Sequence, residues 1–244
     1  MRVIGVIPAR YQSSRFPGKP LALIAGKMLV QRVWEQAKKA KELNDVIIAT
    51  DDERIQKASE SFGARVVMTP VDCNSGTDRL AVVARFAETR AGCFVNIQGD
   101  EPLIPPKLID ALVQAMKNDC KASVVTACFP LENSLADNPN VSKVALDENG
   151  YALLFSRSPI PYARTKFHSG YLKHLGIYAY RRKPLLQFSK WMQTTLEIAE
   201  SLEQLRFLEK GYKIKVIASD EDSFGVDVPE DVKKIEELLR QNEK

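Results

Sequence analysis

The 244 residues carry 35 Lys+Arg against 31 Asp+Glu, a formal charge of +4, with 45% hydrophobic and 27% charged residues. Those proportions exclude a fibre, a disordered tail and a disulfide-framed mini-protein. Basic residues alternate with acids instead of forming a dense stripe, which argues against nucleic acid as the main partner.

The opening run Met1 to Pro8 is apolar over too few residues for a secretory segment, and no later run approaches the ~18 needed to span a bilayer. A cytoplasmic, membrane-free protein is the expectation. Cys73, Cys93, Cys120 and Cys128 lack the close spacing of a zinc site and are expected to be small reduced core residues.

From residue 1 to about 128, short apolar runs alternate with helical periodicity, the pattern of an α/β fold with largely parallel strands under covering helices. Strands are expected at Val3 to Ile7, Val46 to Ala49, Arg65 to Met68, Phe94 to Gln98 and Val124 to Ala127. Helical spacing links Leu29, Val30, Val33, Trp34 and Ala37, and again Leu108, Ile109, Leu112, Val113 and Met116. Asp51-Asp52 can cap a helix running to Phe62.

Residues 129 to 183 read differently. Asp147-Glu148-Asn149-Gly150 between Lys143 to Leu146 and Tyr151 to Phe155 predicts an inserted β-hairpin, followed by a strand at Leu175 to Tyr180. Helix, strand and helix then return at about 196 to 209, 213 to 218 and 229 to 241. With no repeat or linker, a single domain over residues 1 to 244 is expected.

In open α/β sheets ligands bind beyond the carboxyl ends of strands, so the loops there hold the candidate chemistry. The first loop, Pro8 to Pro20, places Arg10, Arg15 and Lys19 in a stretch whose Pro and Gly residues prevent a regular helix. Like charges ~4 Å apart repel by about 4 kcal/mol at an effective dielectric near 20, a cost that a polyphosphate removes. The loop has neither the spacing of a P-loop nor that of a dinucleotide fingerprint.

Asp100, in Gln98-Gly99-Asp100-Glu101-Pro102, is either a magnesium ligand at a strand end or a helix cap. Asp227, in Gly225-Val226-Asp227-Val228-Pro229-Glu230-Asp231, is a second metal candidate, while Pro229 to Asp231 suit a helix start. In Asn74 to Arg79, small residues allow close approach to a nucleoside and Arg79 is available to an acceptor, or else Ser75 or Thr77 simply caps a helix. His168 and His174 have no triad-like acid and read as binding or packing histidines. Leu202 and Leu205 mark a buried helical stripe, which turns Glu203 and Gln204 toward solvent.

Eight ordered segments together resemble one family: Pro-Ala-Arg-x5-Arg-Phe-Pro-Gly-Lys-Pro at 8 to 20, Ala-Thr-Asp at 49 to 51, Ser-Gly-Thr-Asp-Arg at 75 to 79, Gln-Gly-Asp-Glu-Pro at 98 to 102, Phe-Ser-Arg at 155 to 157, Lys-His-Leu-Gly-Ile-Tyr at 173 to 178, Leu-Glu-Gln-Leu-Arg at 202 to 206 and Gly-Val-Asp-x-Pro-Glu-Asp at 225 to 231. The resemblance is to the 3-deoxy-manno-octulosonate cytidylyltransferases, or CMP-Kdo synthetases. Phe16 stands where the family more often has Leu, Leu154 where an aromatic is frequent, and the stretch from Pro161 to Lys173 is shorter than in several relatives.

The resemblance implies a nucleotide-diphospho-sugar transferase-like (Rossmann-like) mixed sheet flanked by helices, usually homodimeric. It also implies an activity: transfer of CMP from CTP to the acidic sugar Kdo for lipopolysaccharide biosynthesis, with Mg²⁺. It assigns Arg10, Arg15 and Lys19 to the triphosphate, and Ser75, Gly76, Arg79 and Gln98 to the cytidine pocket. Asp100 and Asp227 would hold metal, while Arg157, His174, Tyr178, Glu203 and Gln204 would surround the sugar. Arg10, Lys19, Asp100 and Asp227 are the expected catalytic set. Residues 1 to 128 would be the CTP-binding half, 129 to 183 the inserted sugar and dimer region, and 184 to 244 the C-terminal helices and strand.

Overall fold

Short runs rich in Val and Ile, separated by amphipathic segments, set up alternating strands and helices. The computed structural model describes residues 1–13, 15–73, 75–86, 90–164 and 170–242. In chain order the elements are β1 (Val3–Ala9), β2 (Leu23–Ile24), β3 (Lys27–Met28), α1 (Leu29–Ala37), β4 (Asp45–Thr50), α2 (Glu53–Ser61), β5 (Arg65–Met68), α3 (Gly76–Arg85), β6 (Cys93–Asn96) and α4 (Pro106–Asn118). They continue as β7 (Val124–Leu131), β8 (Lys143–Leu146), β9 (Ala152–Ser156), β10 (Tyr171–Arg181), α5 (Arg182–Phe188), α6 (Thr195–Glu200), α7 (Gln204–Glu209), β11 (Ile214–Ala218) and α8 (Asp231–Asn242).

The chain divides into two units, Met1–Asp110 with Ser223–Lys244, and Ala111–Asp222. These boundaries differ from the expected ones near 128 and 183, and strand pairing explains why. β7 pairs with β10 and β11, which draws it into the second unit. α8 returns to the first unit, where Glu236 Oε1 accepts the Ala25 N–H at 2.7 Å.

In the first unit β1 lies between β4 and β6, with β5 beyond β4, and these three pairs are parallel, while β2 and β3 form a separate antiparallel pair. Val3, Ile4, Val6 and Ile7 of β1, Ile47 and Ile48 of β4, and Phe94 and Val95 of β6 are wholly buried, as near-continuous apolar runs must be when helices cover both faces. Helix α1 buries Leu29, Val30, Val33 and Ala37 at the predicted spacing. Asp52 caps α2 by accepting the Arg54 N–H at 2.9 Å.

The chain leaves β1 toward β4 and β5, then crosses back to β6 on the other side of β1. Strand order therefore reverses between β1 and β6, and the crevice outside their carboxyl ends is the binding position for such a sheet. The loops carrying Arg10 and Asp100 both begin there. Backbone approach is close: a Cβ added at Gly99 would stand 2.5 Å from the Pro8 carbonyl oxygen. A Gly99→Ala variant must shift main chain, so it is expected to lose about 1–3 kcal/mol of stability, read as a lower denaturant midpoint at unchanged m-value.

In the second unit the strand order is β11-β7-β10-β8-β9. β11 is parallel to β7, while β10 is antiparallel to β7 and β8, and β8 to β9, which makes the pairing mixed. The predicted hairpin is β8–β9, closing through an Asp147–Gly150 turn with Gly150 at φ 73°.

The helix expected over 196 to 209 is two helices. Ser201 takes a left-handed φ of 51°, and Arg206 reaches back to form a buried ion pair with Glu197, donating through Nε to Oε2 at 2.6 Å. α8 starts at Asp231, two residues later than expected. Cys73, Cys93 and Cys128 are buried free thiols as predicted, but Cys120 is exposed, because it follows α4 in a turn. Among the described residues no helix is long and apolar enough to cross a membrane.

Candidate functional site

Three loops of the first unit converge. After β1, Gly18 adopts φ 71° and donates its N–H to Tyr11 O at 2.8 Å, and a single 3-10 turn at Lys19–Leu21 follows. The Lys19 ammonium donates to Asp100 Oδ2 at 2.7 Å and to Val226 O at 2.8 Å, and lies 3.9 Å from Asp227 Oδ1. Arg15 Nη2 donates to Asp227 Oδ1 at 2.9 Å.

The Asp100 and Asp227 oxygens that face Lys19 are thus no farther apart than its two ion-pair distances laid end to end. Asp100 is not a helix cap, since α4 begins six residues later at Pro106. Val226 N–H donates to Asp100 O at 2.9 Å, which ties the two carboxylate-bearing loops through their backbones.

Lys19 is the enclosed member, with 14% of its side chain exposed, whereas Arg15 and Asp227 keep 63% and 53%. Exposed pairs of the latter kind contribute only ~0–1 kcal/mol, so an incoming anion exchanges with them at little cost. Arg10 is exposed, and its guanidinium has no protein partner among the described residues. The mutual repulsion expected within the loop is therefore relieved in part by acids, with Arg10 left over.

Hard oxygen donors, two carboxylates and a backbone carbonyl around one ammonium, suit Mg²⁺. Among the described residues no three His, Cys, Asp or Glu side chains group as a complete metal cage. That composition fits a cation shared between protein carboxylates and substrate phosphates.

One contributor escaped the sequence reading. Asp231 Oδ2 accepts the N–H groups of Asp227, at 2.8 Å, and Val228, at 3.0 Å, and so fixes the backbone behind Asp227. These two hydrogen bonds hold its carboxyl below the usual carboxylate range. The four-residue spacing from Asp227 is the available signal, and in sequence it is indistinguishable from a helix start, which Asp231 also provides.

Ser75 is the N-cap of α3 in a capping box: its Oγ accepts the Asp78 N–H at 3.2 Å and Asp78 Oδ2 accepts the Ser75 N–H at 3.1 Å. Gly76 opens the helix, where a Cβ would meet Pro8 Cγ at 3.4 Å. Gln98 is half-buried after β6.

Arg79 differs from expectation. Instead of standing available to a ligand, its guanidinium is wholly buried, bonded to Asp51 Oδ2 at 2.8 Å and to Thr69 Oγ1, which locks α3 to the ends of β4 and β5. Asn74 and His168 lie outside the described residues.

The second unit holds the five residues assigned to the sugar. A bulge in β10 between Leu175 and Tyr178 changes the register against β7. Thr126 Oγ1 donates to Ile177 O at 2.8 Å, which leaves its lone pairs to accept from His174 Nε2–H at 3.1 Å. The His174 ring packs edge-on against Phe155, centroids 4.8 Å apart, and tilted to Tyr178 at 5.4 Å. The bulge thus turns His174 and Tyr178 into one aromatic cluster.

Burial pushes the His174 pKa down to about 3, so the imidazole is neutral at working pH. Burial, then Tyr180 and Glu203, raise the Tyr178 hydroxyl well above its ordinary value. Protonation of His174 accompanies unfolding, so below pH ~6.5 each further unit of acid costs about 1.4 kcal/mol of stability, down to the depressed native value. His174→Gln is expected to flatten that acid limb. Carbon-bound ring protons that titrate near pH 6.5 in the folded protein would contradict it.

Arg157 donates from Nε to Glu200 O at 2.7 Å and from Nη1 to Pro139 O at 2.8 Å. Gln204 is buried rather than solvent-facing and Glu203 is half-buried, because the break at Ser201 resets the helical phase on which the solvent expectation rested.

The family model for cytidylyltransferases matches residues 4–214. The chain is 48% identical to the 3-deoxy-manno-octulosonate cytidylyltransferase of Protochlamydia amoebophila (strain UWE25), over 99% of this chain and 96% of that one. It belongs to the 3-deoxy-manno-octulosonate cytidylyltransferase family. The mitochondrial enzyme of that name from Arabidopsis thaliana is 46% identical over 98% of this chain and 84% of its own.

Among solved structures, CMP:2-keto-3-deoxy-manno-octonic acid synthetase complexed with CTP matches this family member with a TM-score of 0.95 at 42% identity, over 99% of this chain and 100% of that one. The 4-diphosphocytidyl-2C-methyl-D-erythritol synthase from Anaerococcus prevotii DSM 20548 has the same fold, with a TM-score of 0.63 at 13% identity over 98% of this chain and 99% of that one. The nucleotidyltransferase-like α/β class expected from the motifs is the one found.

Proposed function

We propose that this cytidylyltransferase transfers the CMP moiety of CTP to the anomeric hydroxyl of 3-deoxy-D-manno-octulosonate, giving CMP-Kdo and pyrophosphate. The observation that carries the reading is the Lys19 ammonium bonded to Asp100 with Asp227 beside it, at the switch point of the sheet in a member of this family. The sugar oxygen attacks the α-phosphorus of CTP, the bond from that phosphorus to the β-phosphate's bridging oxygen breaks, and the hydroxyl proton is released. Such a transfer needs positioning and charge neutralisation rather than a protein nucleophile.

Arg10 supplies a cation already free to meet phosphate, while Arg15 and Lys19 exchange carboxylate for phosphate oxygens when the triphosphate enters. Lys19 and Arg10 then stabilise negative charge on the leaving pyrophosphate. Asp100 and Asp227, released from their cations, are the residues that would hold Mg²⁺, which supplies charge neutralisation on the phosphates and a lower pKa for the attacking hydroxyl. Asp231 keeps Asp227 in place. Gly76 and Gln98 line the cytidine side, Ser75 contributes there through the helix it caps, and Arg79 supports that wall from behind.

Arg157, His174, Tyr178, Glu203 and Gln204 form the sugar side, with His174 as a neutral hydrogen-bonding and packing group. The product serves lipopolysaccharide assembly in the cytoplasm. A homodimer is part of the proposal, supported by exposed Leu153, Met192 and Ile198 in the second unit.

A pyrophosphate-release screen over CTP, UTP, ATP and GTP, each with Kdo and its 8-amino analogue, tests the reading. Turnover with CTP and Kdo is the expected result. Turnover with another nucleotide alone, or none with either sugar, would contradict it.

A further inference from the structure

We infer that Lys143 is a positioning residue for the sugar half of the reaction: its buried ammonium gathers the carbonyls of Asn138, Val141 and Arg157 into one node, and so fixes the backbone that presents Arg157 and His174. The inference rests on the sugar assignment proposed above. Lys143 is wholly buried. It donates to Asn138 O at 3.1 Å, to Val141 O at 2.8 Å and, through a short contact, to Arg157 O. An ammonium has three donors and no acceptor capacity, so these three carbonyls satisfy it fully without a carboxylate. A methionine would fill the same space without burying a charge, an exchange that is costly to make in the other direction. What the charge provides is the convergence of three carbonyls.

That node is joined to Arg157 and His174 by further hydrogen bonds. Ser142 O accepts the His174 N–H at 2.8 Å, and Pro139 O accepts from the Arg157 guanidinium at 2.8 Å. Glu200 accepts Ser156 Oγ–H at 2.6 Å and the Arg157 N–H at 2.8 Å, while its carbonyl accepts Arg157 Nε–H. Ser201, two residues before Glu203, also turns its carbonyl to Arg157. Lys143 thus stands behind Arg157 and His174, two of the five residues assigned to the sugar, and none of the residues assigned to CTP belongs to its unit.

The test is steady-state kinetics of the full-length enzyme with CTP and Kdo. Lys143→Met is expected to raise KM for Kdo by about tenfold or more, as small misplacements do, while KM for CTP stays unchanged. Loss of folded protein alone would lower the apparent kcat without moving either KM. Glu200→Gln, on a half-exposed side chain, loosens the other hold on the Arg157 backbone and is expected to raise KM for Kdo in the same direction, which tests the Arg157 end of the node should Lys143→Met not fold. An unchanged KM for Kdo in the folded variants, or an equal rise for both substrates, would overturn the role of Lys143. Wild-type enzyme that turns over CTP with a different acid but not with Kdo would instead overturn the sugar assignment.

Discussion

Replacing Asp100 or Asp227 by Asn is expected to lower kcat by ~10² or more, with CTP affinity falling less. The asymmetry follows from where the carboxylates stand. Both face Lys19 in the free protein, so neither contributes much to attracting a polyanion before a cation joins them. Their effect appears once charge builds on the departing oxygens, and Asn keeps the volume while removing the charge a hard cation requires. Saturating Mg²⁺ should not restore the rate. Turnover near that of the wild type in either variant would remove the two-carboxylate site from the account.

The second large effect is expected at Lys19. Lys19→Ala leaves Asp100 and Asp227 facing each other without the ammonium that joins them, and it removes a donor from the leaving-group side. The single-turnover rate should fall by about 10²–10³, the size found when one preorganised donor is deleted from a reacting site. The melting temperature is expected to fall as well, because the enclosed ammonium bonds Asp100 and Val226 O and separates two carboxylates, so the rate is read on protein shown to be folded. An unchanged single-turnover rate would take Lys19 out of the chemistry.

The first unit was legible in the sequence because β1, β4 and β6 are buried on both faces, so their apolar runs stand out without alternation. Arg65–Met68 emerged as predicted, and β1 and β4 differ from expectation by one or two residues at their ends. Loop positions after β1 and β6 were equally readable, since the adjacency of those strands brings Lys19 and Asp100 to one crevice, whereas Asp227 joins them through contacts that strand order does not fix. Tertiary pairing was not. Helical periodicity from 196 to 209 cannot reveal that Arg206 folds back on Glu197, and so Gln204 was turned the wrong way.

Arg79 was misread for a related reason. A basic residue in a Gly-rich stretch has the same appearance whether it meets a ligand or Asp51, and only the return of β4 beside β5 decides between them. Lys143 gave no signal, because nothing local marks a lysine whose acceptors are backbone carbonyls up to fourteen residues away.

The most direct test is a crystal structure of the protein with CTP and Mn²⁺ in place of Mg²⁺, read by anomalous scattering from the metal. A manganese peak in contact with an Asp100 oxygen and a triphosphate oxygen is expected, with Lys19 Nζ moved from Asp100 onto phosphate. Metal bound by phosphates alone, with the Lys19–Asp100 pair still closed beside it, would contradict the account at its centre.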